Sequence, residues 1–350
     1  MDTVKSKIDT VKSTFAENVT GSHKLASKDD RFSLDAVPDQ SGKVAVVTGG
    51  SEGIGYGCVH TLIRKNISKT FILSPSKEVA ESALKDLKEN FGDDKASRVT
   101  WKQCDLTDWK AVADLAFEIR KETDRLDVLI NNAARGIMSA QRTEYGVDRH
   151  MALNHMAHVI LTSHLLPLLK KTASEHNTKV RIVNLASNAH QQAPPDTKFA
   201  NLEELNKDYG PMPQYGRAKL TGILYAKYLA RHLTSQHPNI LANATHPGFV
   251  ETKMSSKDIH EPWPIAGYAM SVGMVPLKKD LFEGAVSTMF AATAAEQSGQ
   301  YICPPAIVES GNDLANNEEL EENLMKLTRE VIEEKTKGHS SEKGCPFKDF

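Results

Sequence analysis

The sequence predicts an α/β protein, a single doubly wound domain with a parallel sheet of about seven strands and helical extensions at both ends. Three observations predict it. Short runs of β-branched and small apolar residues, such as 44–48 and 240–245, alternate along the chain with stretches of helical apolar spacing. The first run, Val44 to Thr48, leads directly into glycines at positions 49, 53 and 55, which let the backbone turn sharply into a helix. The chain has 350 residues and is 40% apolar, enough for a substantial core.

Composition excludes several classes. A formal net charge of -2 gives no basic excess for nucleic acid and no acidic solvating tail. Cys58, Cys104, Cys303 and Cys345 lack metal or disulfide spacing, so reduced thiols in an intracellular, cytoplasmic protein are expected. The most apolar helix candidate, residues 158–169, is interrupted by Ser163, His164 and Pro167 and cannot span a bilayer, and the N-terminus lacks the apolar core of a signal peptide.

In chain order, Asp2-Thr-Val-Lys-Ser6 recurs as Asp9-Thr-Val-Lys-Ser13, and Val4, Ile8, Val11, Phe15 and Val19 fall on one side of a short amphipathic helix. Its polar face carries both charge signs, which favours an accessory helix or a tail over a membrane anchor. Residues 21–42 read as an irregular linker. The glycine turn then leaves helix-start N–H groups that suit a pyrophosphate. Tyr56 excludes a Walker loop, Cys58 a plain G-x-G-x-x-G and Glu52 a T-G-x-x-G-x-x-G pattern, so T-G-x-x-x-G-x-G remains. Gly49, Ser51, Glu52, Gly53, Ile54 and Gly55 form this candidate cradle.

A second strand, 70–73, ends at Ser74-Pro-Ser-Lys77. An acid there would hold the ribose 2′-OH of NAD. None is present, and Ser76 with Lys77 suits a 2′-phosphate, so NADP is favoured over NAD although Glu52 argues the other way. A helix over 77–90 leads to a strand over 98–104 that runs into Asp105 and Leu106; Thr107 or Asp108 would cap the following helix, 109–122, better than Asp105. The fourth strand, 126–130, runs into Asn131-Asn132-Ala133-Ala134, and a long helix is expected over 143–170. Within it only His155 and His158 share a face, with no acid or thiol nearby, so no metal site is expected and the histidines read as packing or interface residues.

The fifth strand, 179–185, ends at Ala186-Ser187. Residues 188–213 are polar, contain proline and are long enough for a lid. A helix follows from Tyr215 to about His232, a sixth strand over 240–245, and a Pro-Gly turn leading to Val250 and Thr252. Residues 253–282 carry Met254, Ile259, Trp263, Ile265, Tyr268, Met270 and Met274, an apolar substrate side. The last strand is 299–303, a helix over 316–335 has Leu320, Leu324, Leu327 and Val331 on one side for docking on the body or a partner, and the tail from 337 reads as frayed. Residues 1–42 thus form an extension and linker, 43–310 the domain, and 311–350 a C-terminal helix and tail.

Tyr215 and Lys219 lie one helical turn apart on one face, so the ammonium can stabilise a phenolate. Moving a free tyrosine from a pKa of about 10 to about 7 takes roughly 4 kcal/mol, which Lys219 and a positive nicotinamide ring could supply together. Such a Tyr serves as general acid in carbonyl reduction and as base in reverse.

The glycine turn, the Asn-Asn-Ala turn, Asn154, Ser187 and the Tyr215-x-x-x-Lys219 pair, in this order, resemble the short-chain dehydrogenase/reductase family over residues 43–305. Asn154-His-x-x-His158 resembles its retinol-dehydrogenase-like or fungal-type members, and Ala134 replaces the family's usual glycine. The resemblance implies a Rossmann domain in which Tyr215 transfers the proton, Lys219 lowers its pKa and binds the nicotinamide ribose, Ser187 bonds the carbonyl oxygen, and Asn154 holds a water linking Lys219 to solvent. It further implies that Asp105 and Leu106 lie at the adenine, Asn132 and Ala133 at the nicotinamide ribose, and Val250 and Thr252 at the carboxamide and pyrophosphate. The expected partner is a small hydrophobic carbonyl or alcohol, with a homo-oligomer left open. The alternative is a non-catalytic nucleotide-sensing interaction protein on the same fold.

Overall fold

In the computed structural model, which describes residues 32–248, 250 and 280–343, one eight-stranded sheet has the order β3-β2-β1-β4-β5-β6-β7-β8. The strands are β1 (Val44–Thr48), β2 (Lys69–Ser74), β3 (Val99–Gln103), β4 (Val128–Asn131), β5 (Val180–Leu185), β6 (Ile240–Thr245), β7 (Tyr301–Cys303) and β8 (Ile307–Glu309). The first seven pair in parallel and β8 returns antiparallel to β7. This adds one strand to the sequence expectation. Its three residues follow Pro304 and Pro305 and are too few to show a period.

The sheet is buried on both faces because successive strand residues point opposite ways. Val44 and Val46 join one apolar core, Ala45 and Val47 the other. Against the second core pack α1 (Gly53–Arg64), α2 (Lys77–Ala96) and α6 (Leu281–Thr293). Against the first lie α3 (Trp109–Glu122), α4 (Ala157–Glu175), α5 (Pro211–Leu229) and α7 (Glu318–Thr336). The order of strands places the reversal between β1 and β4, the switch point where ligands bind in such sheets.

Several boundaries differ from the expected ones. The helix expected from 143 starts at Arg149, because Gly146 turns with φ +71° and Asp148 caps the Met151 amide at 3.0 Å. It then passes through a π turn, Ala152–Met156, before α4. The expected lid is folded down as a wall. Thr197, Phe199 and Leu205 are buried, and Arg217 of α5 donates to the carbonyl oxygens of Glu204 and Leu205.

Helix α7 docks on the body, along α5. Leu324 and Ile332 enter the core, and Arg231 bridges Glu318 and Glu322. The described part of the tail, residues 337–343, is docked on α3 instead of frayed, with His339 at 3.0 Å and Lys343 at 3.3 Å from Asp114. The described part of the linker carries a 3-10 turn, Leu34–Ala36, with Val37 buried in the core. The expected N-terminal amphipathic helix, Thr252, residues 253–279 of the substrate side, Cys345 and the last residues lie outside the described residues. Burial pushes the Cys58 and Cys104 thiols up to about 12, which leaves them inert.

Candidate active site

The chain leaves β1 at Thr48 through Gly49, whose φ is +64°, and enters α1 through Gly53 at +56°. Position 55 admits no side chain: a Cβ there would lie 2.2 Å from the Gly49 carbonyl oxygen and 2.5 Å from Asn132 Nδ2. Glu52 occupies the N-cap of α1 without a side-chain cap bond, which leaves the first-turn amides to an incoming anion. Ser51 stitches this turn to the end of β2, its hydroxyl 2.7 Å from that of Ser74.

Thr48 joins three parts of the site. Its Oγ1 accepts the amides of Asn132 and Ala133, both at 2.9 Å, and lies 2.9 Å from His158 Nε2. The Asn154 carbonyl oxygen, 3.3 Å from His158 Nδ1, can only accept, so the neutral ring carries its proton on Nδ1 and Nε2 accepts from the Thr48 hydroxyl, which also lies 3.5 Å from the Ile130 carbonyl oxygen. Burial pushes the His158 pKa down to about 4 and keeps the ring neutral. Asn132 adds a bond from Nδ2 to the Thr48 carbonyl oxygen at 2.8 Å.

Asn154 sits in the π turn, and its side chain grips the Arg135 backbone, accepting from N at 2.8 Å and donating to O at 3.2 Å. Lys219 Nζ donates to the Leu185 carbonyl oxygen at 3.1 Å, and the Tyr215 ring centre is 5.8 Å away. Lys219 is 5% exposed, and burial pulls its pKa down to about 8. A small polar cavity, about the size of one water, is lined by Asn154, His158, Asn184 and Leu185 among others. Ser187 closes β5, and its Oγ accepts the Ala189 amide at 3.2 Å while lying 3.4 Å from Asn188 Oδ1.

What lets α5 meet the Ser187 turn is Gly216, next to Tyr215. A Cβ there would stand 2.5 Å from the Ala189 carbonyl oxygen. The helix begins at Pro211, four residues earlier than expected, so Tyr215 lies in its second turn, half-buried.

The residues expected at the cofactor are less concentrated. Ser76 Oγ caps α2 through the Val79 amide at 3.3 Å, and exposed Lys77 pairs with Glu81 at 3.6 Å. Asp105 accepts from the Thr107 amide at 2.9 Å, while Asp108 caps α3 through the Ala111 amide at 3.0 Å. The Leu106 side chain is buried in the core, which leaves only its backbone for a ligand. Ile54 and Val250 meet over α6, where Val250 fills the notch at Gly284: a Cβ at position 284 would lie 2.5 Å from Val250 Cγ2.

Sequence reasoning read His158 as a packing or interface residue, without its bond to Thr48, and passed over Gly216. The Asn-x-x-x-His spacing that sets His158 one turn beyond Asn154 carried the signal for the first, and the Tyr-Gly pair for the second. His155, by contrast, packs as expected, with Nε2 at 2.9 Å from Thr328 of α7 and burial pushing its pKa down to about 3.

Two measurements probe this geometry. Gly216→Ala pushes α5 off the Ser187 turn and is expected to cost about 1–3 kcal/mol in urea unfolding; unchanged stability would contradict the close approach. For Lys219, the folded pKa of about 8 lies below the ordinary 10.5, so the unfolded chain binds more protons between these values and stability rises with pH across that window. Lys219→Met is therefore expected to be more stable than wild type at pH 7 by about 2–3 kcal/mol, the margin shrinking toward pH 10.5. A margin independent of pH would disprove the buried ammonium.

A sequence model described as short chain dehydrogenase matches residues 43–199. The Neurospora crassa oxidoreductase bli-4 is 55% identical over 351 residues, covering 99% of this chain and 85% of that protein. Human retinol dehydrogenase 13 is 33% identical over 215 residues, 61% of this chain and 60% of that one. Among solved structures, a Pseudomonas aeruginosa RhlG/NADP active-site complex superposes with a TM-score of 0.57 at 25% identity, covering 75% of this chain and 95% of its own. The Neurospora protein is named as mitochondrial, which overturns the cytoplasmic expectation: scattered thiols and a missing secretory core do not distinguish one internal compartment from another. Sheet order, glycine turn and relatives agree that the chain belongs to the short-chain dehydrogenase/reductase family of oxidoreductases.

Proposed function

We propose that the protein is an NADP-preferring oxidoreductase that moves hydride between the nicotinamide and a hydrophobic ketone, aldehyde or secondary alcohol, with Tyr215 exchanging the proton. The observation that carries this reading is the buried Lys219 ammonium, fixed on the Leu185 carbonyl oxygen beside the Tyr215 ring and next to the Ser187 turn.

The glycine turn fits the cofactor's pyrophosphate, since the first-turn amides of α1 have no side-chain cap and Gly49 and Gly53 hold the backbone open. No acid stands at the end of β2, and the RhlG structure is an NADP complex; both support NADP, with Ser76 and Lys77 nearest the 2′-phosphate. The cofactor supplies the hydride when bound. Ser187 turns its hydroxyl from Asn188 toward the carbonyl oxygen, and Tyr215 gives that oxygen its proton. Lys219 holds the negative charge left on the phenol, and Leu185, whose carbonyl oxygen binds Lys219, lines the small cavity together with Asn154. Likeness to a retinol dehydrogenase supports an apolar alcohol or carbonyl, as does the apolar composition of residues 253–282.

Incubation with NADPH and a panel of aliphatic and aromatic carbonyls is expected to give turnover that Tyr215→Phe lowers by at least about a thousandfold, as loss of an essential proton donor does. Turnover surviving that change would remove Tyr215 from the mechanism. Fluorescence titration is expected to show tighter binding of NADPH than NADH, weakened by Lys77→Glu; tighter NADH would reverse the cofactor assignment.

A further inference from the structure

We infer that His190 is a positioning residue for Ser187, and that the turn at 310–316 belongs to the active-site scaffold through it. The inference rests on the role proposed above for Ser187. His190 is 1% exposed in the 3-10 turn Asn188–Gln192. Its Nδ1 lies 2.7 Å from the Ser187 carbonyl oxygen, which can only accept, so Nδ1 carries the proton. Its Nε2 receives the Asn312 amide at 3.3 Å, so Nε2 carries none. The two contacts together fix a neutral ring with Nδ1 protonated.

The approach of Asn312 is itself built. Gly311 turns with φ +74°, and a Cβ there would come within 3.3 Å of His190 Nε2. Asn312 Nδ2 reaches the His190 carbonyl oxygen at 3.3 Å, and the ring stands edge-on to Tyr301 with centres 5.2 Å apart. From the same turn, the Ala315 carbonyl oxygen and Asn316 Oδ1 accept from Lys227 Nζ of α5 at 2.6 and 2.7 Å. One turn therefore holds the Ser187 segment on one side and the helix bearing Tyr215 and Lys219 on the other. Two hydroxyls that must meet one carbonyl oxygen need that spacing fixed, because small displacements in such a constellation cost rate steeply.

The first test does not depend on catalysis. In protein labelled with 15N-histidine, the His190 resonance, identified by its loss in His190→Asn, is expected to show a protonated Nδ1 and a bare Nε2; a protonated Nε2 at pH 7 overturns the inference. The second test is a kinetic cycle with NADPH and a carbonyl that the wild type reduces. His190→Leu is expected to lower kcat about tenfold with NADPH affinity unchanged. His190→Asn, whose amide still reaches the Ser187 carbonyl oxygen, is expected to recover most of that loss. In a Ser187→Ala background, His190→Leu is expected to cost about twofold or less.

An equal tenfold loss in both backgrounds shows that His190 acts on the fold at large and overturns the inference, as does an unchanged kcat. Full turnover by Ser187→Ala alone refutes the role of Ser187 and this inference with it. A wrong tautomer alongside an inactive Ser187→Ala refutes this inference only.

Discussion

The hydroxyl of Thr48 is the contact on which the site's assembly depends. It bonds to residues 84, 85 and 110 positions away, in the Asn-Asn-Ala turn and α4, and lies 3.5 Å from the Ile130 carbonyl oxygen of β4. Two acceptor sites and one donor are all that a hydroxyl has, and each is used. A valine of the same shape would strand two half-buried amides and a buried imidazole nitrogen, at a cost of up to about 1–3 kcal/mol each in lost hydrogen bonding. Through this one oxygen the glycine turn, the Asn-Asn-Ala turn and the π turn of Asn154 hold a single relative position.

Much of the fold was legible because local and tertiary preferences agree. Trp109–Glu122 has an Asp108 cap and a regular apolar stripe, and Ile240–Thr245 is a β-rich run bounded by turn residues; both match their expected limits. Where they disagree, the reading slipped. The apolar pattern around Tyr145 and Val147 continues into α4, but the backbone reverses at Gly146, and periodicity alone does not show a reversal. The segment before Tyr215 looks like a lid because it is polar and holds prolines. What pins it, Phe199 and Leu205 in the core and Arg217 on the carbonyl oxygens of Glu204 and Leu205, depends on residues that meet only in three dimensions.

The candidate site was legible as a set of positions more than as a set of contacts. Sequence spacing located Ser187, Tyr215, Lys219 and Asn154, which the fold gathers at the ends of β4 and β5. It did not show how the side chains are used. Asn154 spends its amide on Arg135, Ser76 spends its hydroxyl on a helix cap, and Leu106 turns inward. Polar residues near helix starts serve backbone and ligand alike, so residue type at such positions leaves both roles open. The histidines show the same limit. Their burial followed from the apolar helix around them, whereas the protonated nitrogen of His158 follows only from the partners on either side.

Placing Lys219 inside the protein opposes folding, since burial disfavours its charged form and a single carbonyl contact offsets only part of that cost. The difference must be recovered by packing nearby. Helix α5, which carries Lys219, presents Tyr225, Tyr228 and Leu229 to a shared apolar core joined by Leu324, Met325, Leu327, Val331 and Ile332 of α7. Each large side chain buried there contributes about 1.5–3 kcal/mol relative to exposure. A few such residues therefore exceed the cost of the ammonium. Helix α7 lies beyond the region matched by the family's sequence model, yet it supplies apolar burial against the helix that carries Tyr215 and Lys219. The chemistry proposed for α5 and the apolar burial that offsets its cost are thus two consequences of one helix's position.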